Sequence, residues 1–431
     1  MPTKLQIAVF SRKPRTKTIG SQLLLVAFAL ASILFGHAAA LANDGGWIGS
    51  WTASPQPIWG SDFAFPTKIP ASVQNQTIRQ VVRISLGGAR ARFVFSNAYG
   101  NRPLKIGAAS VGLASQGGAV QPNTIHKITF GGKDGILIPP GAPAISDPVD
   151  FKIDPLAHLA VSLYLPDETP LTTFHWDGRQ TAWFGKGDLT TATDFSSTTT
   201  TDARVFLSEV LVDAPNNGAV VVIGDSLTDG NGATINADTR WPDFLAKRLA
   251  SHHVAVLNAG ISGDRLLQDK MGVNAAARLQ RDVFSLPNVK ALIVLIGIND
   301  ISWPGTDFDR NGARPTANEM IAGYQQLISL VHANNVRIIG ATLPPFEGAL
   351  QGTPLGNYYD PGKDLLRGEI NRWIRENGNF DAVVDFDAVL RNSTDPTRLN
   401  PEFDSGDHLH PGDEGNRAMA EAIDLNALLG H

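Results

Sequence analysis

The chain has 431 residues, 43% of them hydrophobic and 18% charged, which fits a globular protein with a large core and excludes a disordered or fibrous one. Five of its 36 Lys and Arg residues precede the first acid, Asp44, so the remainder carries 31 basic against 41 acidic residues and offers little to nucleic acid or to an anionic membrane surface. Cysteine is absent, which excludes disulfides, thiolate nucleophiles and zinc–thiolate sites.

The first element is a leader. Lys4, Arg12, Lys13, Arg15 and Lys17 are followed by an apolar run over 23–35, then by small residues up to Ala42. That is the three-part pattern of a secretory signal, with cleavage expected after Ala42 and a secreted or periplasmic product. Arg12-Lys13 is not a twin-arginine pair, so the general secretory route is expected. No later stretch is apolar enough to span a bilayer, so no integral membrane segment is expected after cleavage.

Residues 43–215 read as an antiparallel β-sandwich-like domain. Val82, Ile84 and Leu86 alternate with polar neighbours, Gly87-Gly88 follows, and Phe93 and Phe95 alternate again, which predicts a hairpin. Leu159, Val161, Leu163 and Leu165 form another alternating strand that Pro166 ends, while helical periodicity is scarce. The turn-rich stretch 213–218 then connects to a different pattern.

From 216 to 431 strands and helices alternate, as in a doubly wound three-layer α/β domain with a five-stranded parallel sheet. Strands are expected over 219–223, 254–257, 291–296, 336–341 and 382–386. Helices are expected over 241–250, 317–334, 362–376 and 411–429. In open parallel sheets ligands bind beyond the carboxyl ends of the strands, and those ends carry the polar residues. Gly224-Asp225-Ser226-Leu227 follows the first strand, and Asn258 to Asp264 follow the second. Gly297-Ile298-Asn299-Asp300 follow the third, and Asp407-His408-Leu409-His410 precede the last helix.

A serine hydroxyl is a weak nucleophile near neutrality and needs an adjacent base. Imidazole suits that task because it titrates in the right range. His126, His158 and His175 fall in the β-rich part, and His252, His253 and His332 lie beside or within helices on the far side of the sheet. His37 leaves with the leader and His431 is terminal, so His408 and His410 remain. Spacing allows either an Asp407–His410 or an Asp404–His408 pair.

With these four blocks in order, the chain resembles the SGNH (GDSL) hydrolase superfamily across about residues 217–430. The resemblance implies a flavodoxin-like fold, Ser226, Asp407 and His410 as catalytic residues, and an oxyanion hole formed by the Ser226 and Gly263 amides with the Asn299 side chain. It implies no cofactor and no metal. The β-rich part, with Gly46-Trp47-Ile48-Gly49-Ser50-Trp51 and Gly178-Arg179-Gln180-Thr181, looks like that of a bacterial xylan-esterase-like branch. The expected activity is therefore that of an exported serine esterase acting on short acyl esters, acetyl above all, of a small-molecule or polysaccharide substrate. A lipolytic acylhydrolase is the alternative within the class. Asp225, Asp229 and Asp300 are expected to tie loops together by accepting backbone N–H bonds.

Readings from other classes are a metal-dependent phosphoesterase using Asp225, Asn299, His408 and His410, and a sugar-binding protein. Trp47, Trp51, Trp59, Trp176 and Trp183 could stack on sugars. Trp176 and His175 are expected to face the cleft.

Overall fold

The computed structural model describes residues 46–430 apart from Asp62, Ser196, Thr198, Asn216, Asn377 and Gly378, so the predicted signal over 1–42 lies outside the described residues. Residues 46–430 form one compact unit.

The β-rich part is built on two large antiparallel sheets, with three smaller ones of two or three strands beside them. In the first, β1 (Trp47–Thr52) pairs with β8 (Leu207–Asp213), which pairs with β3 (Gly88–Ser96). In the second, β2 (Gln76–Arg83) lies between β5 (His158–Leu165) and β7 (Ala182–Lys186), and β5 continues to β4 (Ala108–Leu113). The alternating side chains of β2, β3 and β5 bury Ile78, Val82, Phe93, Phe95, Leu159, Val161, Leu163 and Leu165 in a shared core.

The hairpin expected at Gly87-Gly88 does not form. β2 and β3 are neighbours in sequence but belong to different sheets, and residues 84–87 cross between them. The reason is that the crossing residues are committed elsewhere. Ile84 and Leu86 are buried, and a Cβ on Gly87 would lie 2.2 Å from the Ile153 carbonyl oxygen. Ser85 Oγ donates to the Val256 carbonyl (2.7 Å) and lies 3.2 Å from the Val256 N–H.

The remaining strands, β9 (Gly218–Gly224), β10 (Val254–Gly260), β11 (Val289–Leu295), β12 (Arg337–Ala341) and β13 (Ala382–Val384), build the parallel sheet in the order β10-β9-β11-β12-β13. Residues 219–223 of β9 are fully buried, as its β-branched run predicts for a strand covered on both faces. Helices α2 (Trp241–Leu249), α4 (Ala317–Ala333), α5 (Pro361–Glu376) and α6 (Asp413–Glu421) connect or cover the strands. Thr316 and Glu319 cap α4 reciprocally.

Two of the departures from the expected boundaries come from aspartate caps. The strand expected to reach 386 stops at Val384, because Asp385 caps a short helix by accepting the Ala388 N–H. The helix expected over 411–429 breaks after Glu421, and Asp424 caps a second one, Leu425–Leu429.

β10 is an edge strand, and unpaired backbone groups at an edge need covering. The β-rich part supplies the cover. Thr52 Oγ1 donates to the Asn258 carbonyl at 3.1 Å and Ser85 serves Val256, while a Cβ on Gly49 would lie 2.8 Å from Leu257 Cδ1. The motif Gly178 to Thr181 docks on the loop after α1 (Ser226–Asp229): the Arg179 carbonyl accepts the Asn236 N–H, Asn236 Oδ1 accepts the Thr181 N–H, and Gln180 donates to Asp238.

Candidate active site

The sheet order places β9 next to both β10 and β11, with crossovers leaving in opposite directions. Such a reversal opens a crevice at the carboxyl ends of the strands. Ser226 stands there. Asp225 caps α1 by accepting the Leu227 N–H at 3.0 Å, which puts Ser226 on the first helical residue. A Cβ on Gly224 would lie 2.3 Å from both the Leu295 carbonyl oxygen and Thr228 Oγ1, so the strand-to-helix corner requires glycine. Arg278, fully buried, donates to the Gly224 and Ala259 carbonyls and pairs with Asp264 and Asp282, tying the ends of β9 and β10 together.

His410 reaches Ser226 from the turn before α6. Its Nε2 lies 2.8 Å from Ser226 Oγ, and its Nδ1 lies 2.6 Å from Asp407 Oδ2. Asp407 Oδ1 also accepts the Leu409 and His410 N–H groups at 2.9 and 2.8 Å. Burial alone would raise the Asp407 pKa, but the imidazole and these N–H groups hold its carboxyl well below the usual range. A carboxylate only accepts, so Nδ1 carries the proton and Nε2 is left to accept from the serine hydroxyl.

The rival pair also exists: His408 Nδ1 bonds Asp404. However, its imidazole is 51% exposed, and neither residue lines the cavity at Ser226. The structure therefore brings Asp407 and His410 to Ser226, and leaves Asp404 and His408 at the surface.

Gly263 and Asn299 line the same cavity as Ser226. Gly263 has φ +76°, and a Cβ there would lie 2.3 Å from Met271 Sδ. Among the described residues neither the Ser226 nor the Gly263 N–H donates to another protein group. Asn299 Nδ2 donates one hydrogen to the Asp264 carbonyl at 2.9 Å, and Tyr358 O–H donates to Asn299 Oδ1 at 2.8 Å. The amide is thus held at both ends, with one N–H left over.

The cavity measures about 130 Å³, and its remaining walls are mostly apolar, Phe65, Trp176, Met271, Trp303, Phe308 and leucines, with Asn231 and Ser262 as further polar residues. Phe65 stacks on Trp176 with centroids 5.7 Å apart, and its ring meets Phe308 edge-on. Of the two residues expected to face the cleft, Trp176 does. His175 points away from it, to Asp229. Tyr358, Phe65 and Phe308 carry no local sequence signal, since each sits in a loop without periodicity.

Asp225, Asp229 and Asp300 accept backbone N–H bonds from Leu227, Ser262, and Leu266 with Leu267. Among the described residues no group of three or more His, Asp or Glu side chains is placed to hold a metal ion. Among the described residues no helix is long and apolar enough to cross a membrane. A larger cleft of about 370 Å³ lies between the β-rich part and residues 281–286, but its lining contains no nucleophile–base pair.

Residues 220–423 match the model of the GDSL-like lipase/acylhydrolase family. A comparison with curated proteins returned no match. Among solved structures, the chain is similar to a carbohydrate acetylesterase from Sinorhizobium meliloti, at 18% identity over 48% of this chain and 96% of that one (TM-score 0.37). It is similar to an aryl esterase of M. smegmatis at 20% identity over 49% and 100% (TM-score 0.39). A third is a GDSL-like lipase from Bacteroides thetaiotaomicron, at 18% identity over 48% and 87% (TM-score 0.36). Residues 220–423 thus form a GDSL-like lipase/acylhydrolase domain.

Proposed function

We propose that this acylhydrolase is a serine esterase that cleaves short-chain carboxylic esters through an acyl-enzyme on Ser226. The observation that carries the reading is the unbroken chain Asp407–His410–Ser226, opening into a cavity that Gly263 and Asn299 also line. Ser226 Oγ attacks the ester carbonyl while His410 Nε2 takes its proton. The carbonyl oxygen becomes negative against the three N–H donors, each worth about 3 kcal/mol of transition-state stabilisation. His410 then protonates the departing alcohol, and a water deprotonated by the same imidazole releases the acid.

Cavity size supports short acyl groups. The space beside Ser226, about 130 Å³, accommodates an acetyl to butyryl group. The apolar walls suit an acyl tail, and the alcohol stays at the mouth. We assign that alcohol to a carbohydrate and the enzyme to an exported location. Both assignments rest on the resemblance to xylan-esterase-like enzymes and the signal pattern over 1–42.

The test is a chain-length series of 4-nitrophenyl esters run beside acetylated xylan and a lysophospholipid. A maximum at acetyl to butyryl with acetate release from xylan is expected. A maximum at octanoyl or longer, or turnover of the lysophospholipid alone, overturns the substrate reading. A fluorophosphonate adduct on any residue but Ser226 overturns the mechanism.

A further inference from the structure

His175 belongs to the β-rich part and ends the strand β6 (Thr173–His175), which lies between β5 and β7 along the chain. It is 4% exposed, and its ring spans a gap between the two parts of the molecule. Nδ1 faces the Ser54 carbonyl oxygen at 3.1 Å, and Nε2 faces Asp229 Oδ1 at 2.9 Å. Both partners are acceptors, so both ring nitrogens must donate, and a ring donating from both nitrogens is an imidazolium. Burial works against that charge, yet Asp229 and the Ser54 carbonyl raise the His175 pKa above its ordinary value. The reciprocal holds for Asp229: burial would raise it, but His175 and Ser262 bring its carboxyl below the usual range.

The other oxygen of Asp229 leads to the site. Oδ2 accepts both the Ser262 N–H and the Ser262 hydroxyl, each at 2.8 Å. Ser262 directly precedes Gly263, whose N–H opens into the cavity. Asp229 has little freedom of its own, because a Cβ on Gly260 would lie 2.4 Å from the Asp229 nitrogen. An ion pair at full burial is expensive unless its remaining bonding capacity is used, and here every such atom of the pair is used. Without the imidazolium, Asp229 would be an uncompensated buried charge beside the turn it anchors.

We propose that His175 is a positioning residue of the esterase site, acting through Asp229 to hold the Ser262–Gly263 turn so that the Gly263 N–H meets the developing oxyanion. The β-rich part thereby completes the catalytic geometry of the α/β part. The inference rests on the acyl-enzyme reading above.

The experiment uses the full chain with 4-nitrophenyl acetate as substrate and a trifluoromethyl ketone that adds to Ser226 as an oxyanion probe. A misplaced donor costs about 10- to 100-fold. His175→Ala should therefore lower kcat by about that factor and leave KM within about twofold, with affinity for the ketone falling in parallel. His175→Gln, which keeps one donor toward Asp229, should recover part of both, and it decides the question if the alanine variant does not fold. A kcat within about twofold of the parent, or a loss confined to KM, or a kcat loss without weaker ketone binding, overturns the proposal. Ser226→Ala is run alongside. If it keeps turnover, the acyl-enzyme reading has failed; if it is inactive while the His175 variants are unaffected, only the present inference has.

Discussion

Asn299→Ala tests the oxyanion site most sharply, because the structure separates its catalytic from its structural cost. The side chain has three engagements: one N–H to the Asp264 carbonyl, Oδ1 to Tyr358, and one N–H free toward the cavity. Loss of the free N–H removes one of three donors, which costs about 100- to 1,000-fold in kcat. Truncation also leaves the Tyr358 hydroxyl and the Asp264 carbonyl unpaired, at about 1–3 kcal/mol each, or about 2–6 kcal/mol in stability. Tyr358→Phe keeps the donor but frees the amide to turn, so it should cost only about 3- to 10-fold in kcat, in keeping with the loss of a single neutral hydrogen bond of about 0.5–1.5 kcal/mol. If Tyr358 acts through Asn299, the double variant should be no slower than Asn299→Ala alone. Steady-state kinetics on 4-nitrophenyl acetate and thermal unfolding read both terms. Additive losses in the double variant, or an Asn299→Ala kcat within about threefold of the parent, would refute the assignment.

Further outcomes follow from the same geometry. His410→Ala should lose nearly all turnover while His408→Ala keeps most of it, since only His410 touches Ser226; the opposite ranking in a kcat comparison hands the role to Asp404–His408. Asp407 has a lowered pKa, so the stability it contributes is present above its unfolded value of about 4 and is lost only as pH falls below it. It therefore stays ionised through any assay near neutrality, and Asp407→Asn should lower kcat by about 10⁴-fold by presenting the wrong imidazole tautomer. Glu209 is the reverse case: burial pushes its pKa up to about 7, and its Oε1 has no hydrogen-bond partner among the described residues. A raised carboxyl contributes stability that is fully present below the unfolded value of 4.5 and lost as pH rises through 7. Glu209→Gln should thus raise the Tm more at pH 8 than at pH 5, and an equal shift at both would contradict the burial argument.

Local chemistry explains why so much of the α/β half was legible. A β-branched run buried on both faces, a glycine at a tight corner and an aspartate before a helix are each readable within a few residues. Ser226 as candidate nucleophile follows from that grammar, whereas Asp407 and His410 came from the family resemblance that the order of the blocks carries. The missed features have another origin. The expected hairpin at Gly87-Gly88 failed because Ser85 is spent on the edge of β10, some 170 positions away in the chain. The helix expected over 411–429 failed for a smaller reason, the competition of the Asp424 cap with continued helix.

By itself, then, the sequence determined the class of each element, the parallel sheet and the candidate nucleophile, because those depend on periodicity and on neighbours close along the chain. Spacing alone left open which histidine meets Ser226, the resemblance favoured Asp407–His410 over Asp404–His408, and the packing of the turn before α6 against β9 brings His410 to the serine. The same holds for the apolar walls of Phe65, Trp176 and Phe308, for the Tyr358 bond that holds Asn299, and for the His175–Asp229 pair. Each joins residues far apart in the chain through side chains that carry no pattern of their own. Their chemistry exists only once burial has brought them within hydrogen-bonding or van der Waals distance.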